Sequence, residues 1–276
     1  MTSEYKQTII SGEVTERNSD GTVKAIYNVK DGVEDGPYES FWTNGNTKAK
    51  MNKKNGEIEG DRTLYREDGT REKWENFHQG EKNGRYIIYD KTGKNIVEDG
   101  VYRHGEKIHF NREEITQSGK KIQLFGERQP NGEMKHSVFC EGRLIAEGML
   151  REPLQLKDEY TKNDFRAGEF KTYFSDPSLK EGQLKEAGFK KNGVLDGEYI
   201  HIEQGWKRTR EGMMVPMIDK ATEIHKIYKN GHLVTEDTMR ERHLEVSSPE
   251  RKPQSQEKSN QNIFDYARRK FWNGHF

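Results

Sequence analysis

Gly36-Pro37-Tyr38-Glu39-Ser40-Phe41-Trp42-Thr43-Asn44-Gly45, then Asn46 to Lys54, then Asn55-Gly56, is the stretch that decides the fold. Tyr38, Phe41 and Trp42 give the first segment the aromatic bulk of a strand. Thr43-Asn44-Gly45 reads as a turn, because Asn-Gly supplies the φ > 0 conformations that match strand twist. A second strand then runs back, and Asn55-Gly56 turns the chain again. The unit is a β-hairpin plus a tight connection to the next unit.

Working outward, the same unit recurs. Gly12, Gly36, Gly60 and Gly84 fall 24 residues apart, as do Gly21, Gly45, Gly69 and Gly93. A third series, Gly32, Gly56 and Gly80, shares the spacing, and Gly105 follows one residue late. Three glycine columns in phase are the mark of an internal repeat. The first strand carries Leu64 and Tyr65 in one equivalent, and Tyr86, Ile88 and Tyr89 in another. The first turn becomes Glu67-Asp68-Gly69 and Lys91-Thr92-Gly93. A bulky residue stands three before a glycine of the third series, as Val29, Phe77 and Tyr102. The second turn is expected at Asn55-Gly56 and at Asn83-Gly84.

The pattern resumes after a gap. Pro130-Asn131-Gly132 has the form of the first turn, and Phe139-Cys140-Glu141-Gly142 that of the second. Gly168-Glu169-Phe170-Lys171-Thr172-Tyr173-Phe174 has the form of a first strand. Lys191-Asn192-Gly193-Val194-Leu195-Asp196-Gly197 matches Lys54 to Gly60, and Tyr228-Lys229-Asn230-Gly231 is a last, degenerate copy. Four regular repeats and about four divergent ones are expected.

These motifs, Gly-x-Tyr-x-x-Phe/Tyr-x-x-x-Gly with Lys-Asn-Gly-x-x-x-Gly between units, resemble the MORN repeat, and most closely its bacterial variant form. The resemblance covers residues 10–110 well and 126–235 loosely. It departs at Arg62, which stands where the first aromatic is expected, and in the first unit, where Val14 and Arg17 replace both rings. It implies an elongated antiparallel β-meander of stacked hairpins, and a binding protein of the antitoxin or immunity type. Other relatives imply a scaffold or adaptor, or a peripheral membrane protein. Each repeat alone cannot bury its rings, so neighbours supply the cover. Alternation along each strand then predicts aromatics on one face and charges on the other.

Composition agrees with a thin sheet. Apolar residues make up 30% of the 276, aromatics 10% and charged residues 34%. Adding glycine gives about 40% apolar, below the usual 45–50%. The 47 basic and 47 acidic residues cancel, which removes the broad basic field of a general nucleic-acid binder. No stretch approaches the roughly 18 apolar residues of a membrane span. Met1 to Lys6 lacks the basic n-region and apolar run of a signal peptide. One cysteine, Cys140, excludes an intramolecular disulfide framework. A cytoplasmic location is therefore expected.

Four segments are therefore expected: regular repeats at 5–110, divergent repeats with insertions at 111–245, a disordered linker at 246–261, and a helix at 262–276. Within the divergent part, 106–125 breaks the phase as a longer hairpin or an insertion. Residues 150–165 read as a loop carrying a turn of helix. The most apolar stretch begins at Met213-Met214-Val215-Pro216, where Pro216 argues against a central strand. Helix and strand remain equal alternatives for Asp219 to Tyr228.

In the last segment Asn262 caps a helix and Gly274 ends it. Phe264, Ala267 and Phe271 share a face, with Arg268, Arg269 and Lys270 around it and Trp272 beyond. Such a helix either caps the open end of the β-sheet or docks a partner. In the strands, Trp42 and Phe174 stand one residue past the ring positions Phe41 and Tyr173, with the opposite pleat parity. A ring exposed there suits a protein interface. The candidate partner-binding residues are thus Trp42, Phe174, Phe264, Arg268, Arg269, Phe271 and Trp272.

No catalytic, cofactor or metal site is expected. His104 and His109, and His225 and His232, match no metal-ligand spacing, and Cys140 reads as a partly buried strand cysteine rather than a nucleophile. Phosphate-binding loops and nucleophile elbows are missing as well, and the glycines are turn residues. The expectation is a non-enzymatic protein that binds a protein partner.

Overall fold

The computed structural model describes residues 11–245 apart from 153, 155 and 158. The expected linker at 246–261 and helix at 262–276 lie outside the described residues, and with them Phe264, Arg268, Arg269, Phe271 and Trp272. Seventeen strands and one 3-10 turn are present among the described residues. They fall into two compact units divided between Glu113 and Glu114.

The first unit holds β1 (Gly12–Arg17), β2 (Val23–Lys30), β3 (Val33–Phe41), β4 (Thr47–Lys54), β5 (Glu57–Tyr65), β6 (Arg71–His78), β7 (Glu81–Tyr89), β8 (Ile96–Arg103) and β9 (Glu106–Ile115). Each pairs antiparallel with the next in sequence. The second unit holds β10 (Lys121–Arg128), β11 (Met134–Cys140), β12 (Arg143–Leu150), the 3-10 turn Lys162–Asp164, β13 (Phe165–Tyr173), β14 (Leu184–Lys191), β15 (Val194–Arg208), β16 (Met214–Lys229) and β17 (His232–His243). It too is an antiparallel meander in chain order. The all-β meander expected from the hairpin motifs is present in both units. The segment 106–125 holds β9, the turn Thr116–Lys120 and most of β10.

Two kinds of turn build the hairpins. The first has two residues, both at positive φ: Asp31-Gly32, Asn55-Gly56, Gln79-Gly80, His104-Gly105, Glu141-Gly142, Asn192-Gly193 and Asn230-Gly231. This is the I′ geometry whose twist matches the strands it joins. The second is a type I turn closed by a glycine at positive φ. At Trp42–Asn46, Gly45 N donates to Trp42 O at 2.9 Å and Trp42 N to Asn46 O at 2.8 Å. Asn18–Thr22, Arg66–Thr70, Gln129–Glu133 and Thr209–Met213 repeat these bonds.

The expected turn at Asn83-Gly84 is corrected. Those residues lie inside β7, and Gly84 faces Tyr102 across the strand pair. The chain turns four residues earlier, at Gln79-Gly80. Gly84 still needs its φ of 106°, because it sits where β7 slips register against β6. A turn and a bulge both demand positive φ, so local sequence does not separate them.

The expected separation of rings and charges is also corrected. In the first unit Tyr27 stacks on Tyr38 at 5.6 Å, and Tyr86 meets Tyr102 at 4.9 Å. Cations lie over these rings: Lys53 over Tyr38 at 4.9 Å, Lys82 over Tyr102 at 5.0 Å and Lys107 over Tyr86 at 5.1 Å. At these distances each ammonium is attracted to the face of the ring beneath it. Tyr86 is only 1% exposed. Burial raises its phenol pKa, and the hydrogen bond to Glu98 Oε1 at 2.7 Å raises it further.

Gly100 faces Tyr86 across the strand pair, and a Cβ there would lie 2.3 Å from His109 O and 2.8 Å from Tyr86 Cε1. The absence of a side chain lets the ring lie flat on the backbone. Arg62, standing where a ring was expected, faces Glu75 instead. Its guanidinium bonds Glu75 Oε2 and lies 4.6 Å from the Phe77 ring centre. Lys73 and Lys82 lie 2.9 and 3.0 Å from Glu75 Oε1. Burial pulls the Glu75 carboxyl up, yet the bonds from Arg62, Lys73 and Lys82 outweigh it and hold the pKa down to about 2.

In the second unit two connections pack against the meander. The segment before β13 carries the expected turn of helix, with Thr161 and Asp164 forming a capping box. It brings Lys162 to 4.5 Å over the Tyr199 ring and Lys162 N to 2.7 Å from Glu186 Oε2. Tyr160, Phe165 and Phe170 are buried with it. The connection after β13 buries Leu179 with Ile202, Ala221 and Leu244.

Candidate functional site

β15 and β16 are the longest strands, and both outrun their neighbours. Pairing of β15 with β14 ends at Glu186 opposite His201. Pairing of β16 with β17 ends at Lys220 opposite His243. Toward the tip, among the described residues, β15 and β16 pair with each other alone: Trp206 with Pro216, Lys207 with Val215 and Arg208 with Met214. The result is a two-stranded arm closed by the turn Thr209–Met213.

The arm has a marked base. Between Gln204 opposite Ala221 and Trp206 opposite Pro216, one residue on β15 spans four on β16. Gly205 permits this, since a Cβ there would lie 2.8 Å from Met217 Cε and 3.1 Å from Lys220 O. At the tip Thr209 N donates to Met213 O at 2.8 Å, and Arg208 Nε donates to Gly212 O at 3.2 Å. Pro216, which argued against a central strand, lies in the arm, where among the described residues β16 has no outer neighbour.

Trp206, Met213 and Met214 are each 58% exposed. Trp206 and Arg208 share one face of the arm, and Met214 stands opposite Arg208 on that face. Lys207, Arg208, Arg210 and Glu211 are also exposed, so three cations stand against one carboxylate. An isolated two-stranded hairpin is marginal in water. Exposing a tryptophan and two methionines on one adds no stability to the chain alone. Burying each against a partner is worth about 1.5–3 kcal/mol. Trp, Met and Arg are the residues enriched at protein interfaces.

The two candidates within the described residues lie elsewhere. Trp42 is half-buried; its Nε1 donates to Tyr65 O at 3.0 Å and Lys48 Nζ lies 4.6 Å over its ring. Phe174 is half-buried and packs against the Leu179, Ile202, Ala221 and Leu244 cluster. Sequence reasoning missed Trp206, Met213 and Met214. The available signal was a glycine turn, Arg210-Glu211-Gly212, flanked by a tryptophan and a methionine pair, with Pro216 marking an unpaired edge.

Other polar groups are engaged within the chain. A recess of about 220 Å³ is lined by residues that include Arg151, Lys157, Tyr160 and Asp164. There Lys157 bonds Asp164, and Arg151 Nε donates to Phe165 O at 3.1 Å. Lys190 Nζ reaches the same carbonyl at 3.0 Å; burial, with Arg151 and Lys162 nearby, lowers its pKa. These groups pin the connection before β13. His225 bonds Glu198 and Glu223 at 2.8 and 2.7 Å, and those carboxylates raise its pKa. Cys140 is buried in β11. Among the described residues there is no group of three or more metal-ligating side chains, and no helix is long and apolar enough to cross a membrane. No protein-family model matches the chain, and no curated protein matches it.

Proposed function

We propose that this chain is a non-enzymatic binding protein of stacked 24-residue hairpin repeats, elongated and of the MORN-variant type, ending in a short helix at 262–276. It acts in the cytoplasm and neutralises a cognate toxin by steric contact, lying over the toxin's active site. The observation that carries the reading is the free-standing arm, whose exposed Trp206, Met213 and Met214 contribute nothing to the chain's own core. The resemblance of the repeats to antitoxin-type chains supplies the kind of partner.

The test is co-expression with the protein encoded by the neighbouring gene. The expected result is a complex that co-purifies, protects the cell, and is lost in the Trp206→Ser/Met214→Ser variant while its melting temperature stays within a few degrees of the parent. No complex and no protection with the neighbouring product would sink the antitoxin reading. A complex that forms equally well with the double variant would remove the arm from it.

A further inference from the structure

Resting on the reading that the arm docks a protein partner, we propose that the partner supplies an extended acidic segment that adds as a strand to the outer edge of β15, between Gly205 and Arg208.

The hydrogen-bond alternation of the arm defines which edge is open. Thr209 N donates to Met213 O, so the backbone groups of that pair face inward. In an antiparallel pair the sense alternates. Lys207 and Val215 therefore also face inward, whereas Arg208 and Trp206 on β15, and Met214 and Pro216 on β16, face outward. Among the described residues neither strand has a neighbour there. On β16, Pro216 has no N–H, so that edge cannot complete a ladder. On β15 the outward N–H and C=O of both Trp206 and Arg208 remain. The arm thus has one edge competent for strand addition and one that is blocked.

Charge selects the occupant. Lys207, Arg208 and Arg210 stand along or next to the open edge, against Glu211 alone at the tip. A second copy of the arm would bring these cations against their like, which disfavours self-pairing. A segment that alternates acidic and apolar residues meets both demands. Its apolar residues lie beside Trp206 and Met214, and its carboxylates, which alternation puts on the opposite face, lie beside Lys207.

The test uses the full chain, isotopically labelled, with short synthetic peptides alternating valine with glutamate or valine with lysine. Vesicles of phosphatidylserine and phosphatidylcholine are titrated in parallel. The glutamate peptide is expected to shift the Trp206 and Arg208 amide resonances, with affinity falling about tenfold between low and high salt. Arg208→Pro gives β15 the donor loss that Pro216 gives β16, and is expected to abolish these shifts. Arg208→Lys is expected to retain them. Equal shifts with the lysine peptide, binding to vesicles but to neither peptide, or full binding by a folded Arg208→Pro variant would overturn the proposal. If the natural partner is lost with Trp206→Ser yet kept with Arg208→Pro, strand addition fails while the docking arm stands.

Discussion

Trp42 Nε1 donates to the carbonyl of Tyr65 at 3.0 Å, and Arg66 Nη2 donates to the carbonyl of Tyr89 at 2.8 Å. Each reaches 23 residues ahead, from the start of one type I turn to the end of the strand that leads into the next. The two side chains differ in every respect except a donor at the right height. Trp42 is thus a stitch between hairpins. Trp42→Phe keeps most of the ring and loses the bond, so it is expected to cost about 1 kcal/mol in chemical denaturation. Loss of partner affinity in a Trp42→Phe protein of near-parental stability would show that the ring also serves an interface.

The Glu75 cluster predicts coupled mutations. Glu75 is 1% exposed and holds Arg62, Lys73 and Lys82. Glu75→Gln leaves three half-buried cations without their anion and is expected to cost roughly 3 kcal/mol. Arg62→Tyr/Glu75→Met restores the ring column and removes the charge pair together. It is expected to be less destabilised than Glu75→Gln, because Arg62 no longer stands without its anion, while Lys73 and Lys82 still do. Additive losses in the double-mutant cycle would show that the pair is not coupled.

The I′ turns predict gains. Gln79 and His104 take φ of 49° and 47° where Asn55, Asn192 and Asn230 stand in equivalent turns. Asparagine tolerates this region better than glutamine or histidine. Gln79→Asn and His104→Asn are each expected to raise stability by about 0.5 kcal/mol, additively, since the turns are separate. A fall in melting temperature with either variant would mean that the native side chain makes a contact that outweighs the turn.

His136 predicts an acid limb. It is buried in β11, and Leu150 N donates to its Nδ1 at 3.2 Å. Burial lowers its pKa from 6.5 to about 4. The folded state therefore prefers the neutral ring. Its contribution is complete above the unfolded pKa of 6.5 and is lost as pH falls toward about 4. The loss reaches on the order of 3 kcal/mol at the acid end. The check is an NMR titration of the imidazole in the native state, with denaturation midpoints at each pH. An imidazole that titrates near 6.5 in the folded chain would refute it.

Much of the meander was legible because its determinants are local. Asn55-Gly56, Asn192-Gly193 and Asn230-Gly231 read as turns and are turns, since positive φ is a property of one or two residues. Asn83-Gly84 misled because a bulge makes the same demand as a turn. Arg62 was legible as a departure from the ring pattern. That Glu75 would be its partner was not, because the pairing depends on the register between β5 and β6.

The sequence by itself determined a succession of hairpins, the residues at most of their turns, and the aromatic positions along the strands. These follow from backbone conformation and from side-chain alternation, which act over a few residues. Only the tertiary structure decided that Trp42 spans two hairpins, that Phe174 packs against a buried cluster, and that Trp206, Met213 and Met214 stand clear of the sheet. Whether a strand residue is covered depends on where its neighbours end. β14 and β17 stop short of the β15–β16 tip, and within residues 204–218 only Pro216, as an edge signal, points that way.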